Sequence, residues 1–243
     1  MIYSMTICKN CGNSFEGNYC NQCGQSAKTK RINHEFLWED VQHGLLHYDK
    51  GIGYSLKKLF EKPGNVINDY IEGKRVNHFR PISMVIIMST IYALIYHLLN
   101  LNHRSALDES SGLILEKIFE HYYWFVVATL PIYAFTTYIM FKKTGYNFYE
   151  VIIFEAFKTS QRLGVHIVFL PILYFLKERS GFNTVSNILI IIDFILILWT
   201  NKQFFNTMSS KKVFLKSLAG YILYCTLAFL LVVIIILAFG FDR

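Results

Sequence analysis

Five stretches of this chain are long and apolar enough to suggest bilayer crossings, which leaves it few ways to fold. In hydrocarbon every backbone N–H and C=O must be satisfied within the protein, so such stretches become helices packed side by side. Each crossing takes about 20 mostly apolar residues. Residues 81–101 and 121–141 meet this directly, and 213–239 exceeds it, which implies tilt or an interfacial start. The other two need arithmetic. Leu163–Leu176 is only 14 residues, so a crossing over 157–176 takes in Lys158 and Arg162, expected to snorkel to the headgroups. The segment 183–202 carries Asp193 inside an isoleucine run. A central Asp costs about 2.5–3.5 kcal/mol, while ten apolar neighbours at roughly −0.5 each outweigh it, so the segment inserts. Composition agrees: 53% hydrophobic and 17% charged is too oily for an ordinary soluble domain. The expected fold class is an all-α multi-pass membrane protein of about five transmembrane helices, with a small cysteine-rich N-terminal ribbon.

Basic residues set the expected orientation. With five crossings, residues 1–80, 142–162 and 202–216 share one side and hold 19 of the 24 Lys and Arg. The opposite loop around 100–120 is acidic, with Asp108, Glu109, Glu116 and Glu120. The positive-inside rule then predicts a cytosolic N-terminus and an outside C-terminus.

Four of the five cysteines, Cys8, Cys11, Cys20 and Cys23, fall in a 16-residue window as C-x2-C-x8-C-x2-C, with Gly12 and Gly24 after each pair. Two intervening residues let one tight turn aim both sulfurs at one point. Two such turns make a closed tetrahedral thiolate site with no position left for a reacting water, so the expected cofactor is structural Zn2+, with iron as the rival. Two disulfides are the alternative. The cytosolic placement and the lack of a basic-then-apolar leader in Met1–Thr6 argue against them. The fifth, Cys225, sits in an apolar run as expected inert packing. Ribbons often bind nucleic acid, yet between Cys8 and Cys23 the charges are only Lys9 and Glu16. With just Lys28, Lys30 and Arg31 following, nucleic acid is an unlikely partner.

Residues 1–27 thus read as the ribbon, 28–80 as amphipathic cytosolic or interfacial helices, and 81–243 as the transmembrane domain. In the middle segment Trp38, Val41 and Leu45 recur at helical spacing, as do Ile52, Leu56, Leu59 and Phe60. A third helix should start at Pro63-Gly64 and stop at Gly73-Lys74-Arg75. Lys57, Lys58, Lys62, Lys74, Arg75 and Arg80 suit contact with anionic headgroups, although periodicity alone allows packing on protein equally well. The run CKNCG…NYCNQCGQ, followed by LFEKPGNVINDYIEGKRVNHFRPISMVIIMSTIYAL, resembles the bacterial membrane proteins of domain-of-unknown-function family 3667. The features that match are Pro63-Gly64, Glu72-Gly73-Lys74-Arg75, Phe79 and Pro81, and the resemblance covers residues 1–97. It implies bacterial origin, membrane placement and the ribbon, and it carries over no catalytic residue.

One intramembrane site stands out. His166 lies ten residues before Leu176 and Asp193 ten residues after Asn183, across one short connection. Both sit about 15 Å deep in a roughly 30 Å core, at matching depth on adjacent helices. Glu155, Lys158, Arg162 and His166 share one helical stripe, read as either a cavity lining or, preferably, the polar side of a helix leaving the interface. Such groups either fix helix packing or mark a proton or cation path. His43 and His47 are four apart with no third metal ligand evident, and no nucleophile elbow, HExxH helix or paired catalytic carboxylates occur. The leading expectation is a non-enzymatic, membrane-anchored interaction or assembly protein docking a cytosolic partner. The alternative is an oligomeric channel or transporter for protons or small solutes using His166 and Asp193.

Overall fold

A computed structural model describes residues 5–44, 51–101, 122–176 and 181–239. Leu45, His47 and the acidic 100–120 loop from residue 102 onward lie outside them, as do the side chains of Val41 and His43. The described chain is a small β-hairpin, β1 (Thr6–Ile7) with β2 (Ser14–Phe15), followed by helices. Three short ones come first: α1 (His34–Gly44), α2 (Gly51–Glu61) and α3 (Pro63–Glu72). Five long ones follow: α4 (Pro81–Leu98), α5 (Tyr122–Phe141), α6 (Phe148–Leu176), α7 (Gly181–Phe204) and α8 (Ser210–Phe239). These five are long and apolar enough to cross a membrane. The chain is therefore an all-α multi-pass membrane protein with a cysteine-rich N-terminal ribbon.

Local chemistry explains where the helices begin and end. Pro63 and Pro81 occupy the first turns of α3 and α4, where a missing N–H costs nothing. At its other end α3 closes in a Schellman turn, with Gly73 left-handed (φ 109°), its N–H on Tyr70 O and Lys74 N–H on Asp69 O. A reciprocal capping box starts α6: Glu150 N–H donates to Asn147 Oδ1 and Asn147 N–H to Glu150 Oε2, both at 2.8 Å. α4 takes its cap from a different helix. Asp40 of α1 accepts from the Ile82 N–H (3.3 Å) and the Ser83 hydroxyl (3.3 Å) in the first turn of α4. Burial pushes the Asp40 carboxyl up to about 6, against the opposing pull of the Ile82 N–H and Arg80.

Helix α6 is the hub. It packs against α4, α5 and α7, and its first half is also sheathed by α2 and α3. Leu56 of α2 approaches α6 at Gly164, where an added Cβ would stand 3.2 Å from the leucine methyl. The amide of Gln161 donates to the Leu59 carbonyl in the last turn of α2 (2.7 Å). α3 lies against the end of α7 so closely that a Cβ on Gly64 would fall 2.3 Å from the Gln203 backbone. Leu59, Ile67 and Tyr70 are thereby buried in the same core as Phe154, Phe157 and Phe204. Leu56 and Leu59 of α2 and the apolar face of α3 thus rest on protein, while Phe60 of α2 stays exposed.

The helix α6 begins at Phe148, well before the 157–176 crossing read from hydropathy, because that early stretch is covered by other helices. This placement overturns the snorkelling expected of Lys158 and Arg162. Lys158 is 1% exposed and Arg162 mostly buried, and both turn into the bundle. α4 ends at Leu98, three residues short of Leu101, and its chain turns through Asn100 (φ 49°). Cys225, expected in the packing, lies exposed on the outer surface of α8.

Candidate functional site

The two cysteine turns of the ribbon have the same construction. In each, the first cysteine donates its N–H to a carbonyl five residues on (Cys8 to Asn13, Cys20 to Gln25). In each, the glycine after the second cysteine donates back to the first (Gly12 to Cys8, Gly24 to Cys20). Those glycines sit at φ 75° and 77°, a region ordinary side chains avoid. The result aims four sulfurs at one point. Cys8 and Cys23 Sγ lie 3.5 Å apart, Cys11 and Cys20 Sγ 3.6 Å, and all four within 4.8 Å. A tetrahedron with metal–sulfur bonds of about 2.3 Å has edges of about 3.8 Å, so the cage fits one metal ion.

Crowding splits the thiols. Burial raises Cys20, but backbone N–H groups of Cys23 and Gln22 outweigh it and bring it down to about 6. At Cys11 the Asn13 N–H pulls down, yet desolvation and the neighbouring sulfurs win and push it up to about 12. Four sulfurs this close cannot all ionise unaided, and a dication at their centre removes the conflict.

The ribbon is clasped to the helical body at two places. Gln25, the residue after the second knuckle, is buried and donates to the Gly73 carbonyl (2.6 Å) while accepting from the Arg75 N–H (3.2 Å). Farther along, Arg31 grips Glu150 with both Nε (2.6 Å) and a terminal nitrogen (2.8 Å), beside a buried Ile32. Asn147 Nδ2 donates to the Ile32 carbonyl (3.0 Å), so the same turn that starts α6 also anchors this strand of chain.

Inside the bundle, His166 Nε2 and Asp193 Oδ2 stand 3.1 Å apart across α6 and α7, and Arg162 joins the same oxygen at 2.8 Å. One turn earlier on α6, Lys158 Nζ and Glu155 Oε1 pair at 2.7 Å, with 1% and 0% of their side chains exposed. Thr137 donates to Glu155 (2.6 Å), and Lys158 reaches Asn201 (3.3 Å), which reaches Ser217 (2.8 Å). The ammonium also sits over the Tyr133 and Phe154 rings, at 4.5 and 4.7 Å. The stripe Glu155–Lys158–Arg162–His166 therefore faces the protein interior and is not the polar side of a helix leaving the interface. A cavity of about 40 Å³ lies beside it, lined in part by Thr129, Tyr133, Thr159, Arg162 and Tyr224.

The basic residues assigned to headgroups divide. Lys57 and Lys62 are exposed, and Lys58 pairs with Glu61 (2.6 Å). Lys74 instead pairs with Asp69 (2.5 Å), and Arg80 donates to the Glu39 carbonyl (3.0 Å). Arg75 folds back over Phe36 (4.4 Å) and bonds the Lys30 carbonyl (3.1 Å), so it ties segments of protein together. Sequence reasoning missed Gln25 and Glu150 and weighed Arg31 only as a charge following the ribbon. They are 48 to 119 residues from their partners, beyond the reach of any periodicity.

Residues 49–93 match the family described as "Protein of unknown function (DUF3667)". The match spans α2, α3, the Gly73 corner and most of α4, while the ribbon and the buried charges of α6 and α7 lie outside it. No curated protein and no solved structure matches the chain.

Proposed function

We propose that this chain is a membrane-anchored assembly protein of a bacterial cytoplasmic membrane, whose zinc-loaded ribbon docks a cytosolic protein. The reading is carried by what the ribbon leaves outside. Among the described residues its buried core is Cys8, Phe15 and Cys20, with Cys23 and Ala27 packed against them, while Met5, Ile7 and Tyr19 are 70%, 71% and 68% exposed. A ribbon held in fixed orientation by Gln25 and Arg31 offers these side chains as a docking knob at the end of the bundle that carries most of the basic residues. The N-terminus is cytosolic by that charge bias, which is also where four thiolates stay reduced for zinc. Zinc supplies the cross-link a domain this small needs, and performs no turnover.

The test places a photo-crosslinking residue at Ile7 or at Tyr19 in cells. A discrete protein adduct is expected, lost in Cys8→Ser/Cys11→Ser and retained in Asp193→Asn. No adduct, or one that survives loss of the cage, contradicts the reading. The second reading, an oligomeric proton or small-solute conduit, draws on the buried His166–Asp193–Arg162 cluster and predicts the opposite sensitivity.

A further inference from the structure

From the Gln25 contacts we infer that metal occupancy of the ribbon latches and unlatches it from the transmembrane body. This rests on the cage holding a metal ion, and goes beyond docking by giving the ribbon two positions. The contact surface is the C-terminal corner of α3. Gly73 is left-handed there, and a Cβ on it would stand 2.9 Å from Lys9 Cδ and 3.2 Å from Thr29 Cγ2. The ribbon therefore sits directly on this glycine, with Lys9 following Cys8 of the first knuckle and Gln25 following Gly24 of the second.

Both latch bonds use groups the α3 turn leaves over. Its Schellman bonds use the N–H groups of Gly73 and Lys74, so the Gly73 carbonyl and Arg75 N–H remain for Gln25. Gln25 meets both only because its backbone is set by the knuckle, where its carbonyl takes the Cys20 N–H at 2.8 Å. Asn13, at the equivalent place in the first knuckle, instead turns inward to Asn21 (2.7 Å). The two knuckles are thus alike in backbone and different in use: Lys9 of the first packs on Gly73, while Gln25 of the second hydrogen-bonds to the body.

Metal loss removes what fixes that backbone. Of the ribbon's three buried core side chains, two are ligands, so the fold of this part depends on the ion. The second anchor does not. Ile32 belongs to the main core and Arg31 is held by Glu150, which is fixed by its own capping box. Emptying the cage should therefore free residues up to about Thr29 and leave the chain pivoting at Arg31–Ile32.

The experiment is hydrogen exchange on the full-length protein in lipid nanodiscs, with metal content measured on the same samples. Removing the metal with a chelator should speed exchange of the Arg75 amide about tenfold, the loss of one hydrogen bond, and leave 147–151 unchanged. Gln25→Ala should do the same at Arg75 while keeping one metal per chain, and chelation should then add nothing there. Unchanged Arg75 exchange on metal removal overturns the latch. So does purified protein that holds no metal, which overturns the zinc assignment as well, whereas the docking adduct at Ile7 is read independently. Equal loss of protection at 147–151 also overturns it, because the ribbon and anchor would then release together.

Discussion

Lys158 and Glu155 form a fully buried pair in the helical bundle, and removing one partner at a time measures what it does there. With 1% and 0% of their side chains exposed, both groups are out of reach of bulk solvent and headgroups. Lys158→Met leaves a carboxylate with the Thr137 hydroxyl and the more distant Arg162 charge, and Glu155→Leu leaves an ammonium with Asn201 and two ring faces. Breaking a buried pair costs about 3–5 kcal/mol, most of it the stranded charge, while replacing both members by apolar residues of similar volume is close to neutral. Each single variant should therefore lose about 3–5 kcal/mol, and Glu155→Leu/Lys158→Met should return to within about 2 kcal/mol of wild type. Reversible unfolding in bicelles, read for all four proteins as a double-mutant cycle, gives the numbers. Single variants within about 1 kcal/mol of wild type would refute the reasoning, because that is the cost of a pair still reaching solvent.

Three further outcomes follow from the geometry. Gly64→Ala should destabilise by at least about 1–3 kcal/mol, since its Cβ would meet Gln203 backbone at 2.3 Å, whereas Gly53→Ala meets nothing and should be neutral or slightly stabilising in the same unfolding assay. Cys11→Ser should abolish stoichiometric metal by elemental analysis and Cys225→Ser should not, because Cys225, on α8, is not one of the four clustered sulfurs. Asp40 is raised in the folded state, so the fold binds its proton more tightly than the unfolded chain does; its contribution is full below about pH 4 and lost as pH rises through about 6. Wild type should lose up to about 3 kcal/mol more than Asp40→Asn between pH 4 and 7.5, measured as the difference between their unfolding curves.

The parts of this fold that sequence revealed are those written in local pattern. Length and hydropathy suffice for the five long helices, since a membrane span is defined by a run of apolar residues. The C-x2-C spacing is enough to assemble the sulfur cage, and equal residue counts from one short connection are enough to pair His166 with Asp193. What failed was the destination of long basic side chains. Snorkelling assumes a lipid-facing helix, but Lys158 turns to Tyr133 of α5 and Asn201 of α7, and Arg162 to Asp193 of α7, partners on other helices that local pattern does not bring together. Periodicity gives α2 and α3 an apolar face without saying what lies against it. Only the small residues Gly64 and Gly164, read with their neighbours, show that the partner is protein.

On this account the buried charges satisfy one another within the bundle and the work of the protein is done at the ribbon. Proton and cation flux through liposomes containing the purified, folded protein tests that division most directly. The account predicts no flux above empty liposomes, for wild type and Asp193→Asn alike. Flux carried by wild type and abolished in Asp193→Asn would contradict it, and would make the Arg162–His166–Asp193 cluster a path through the membrane.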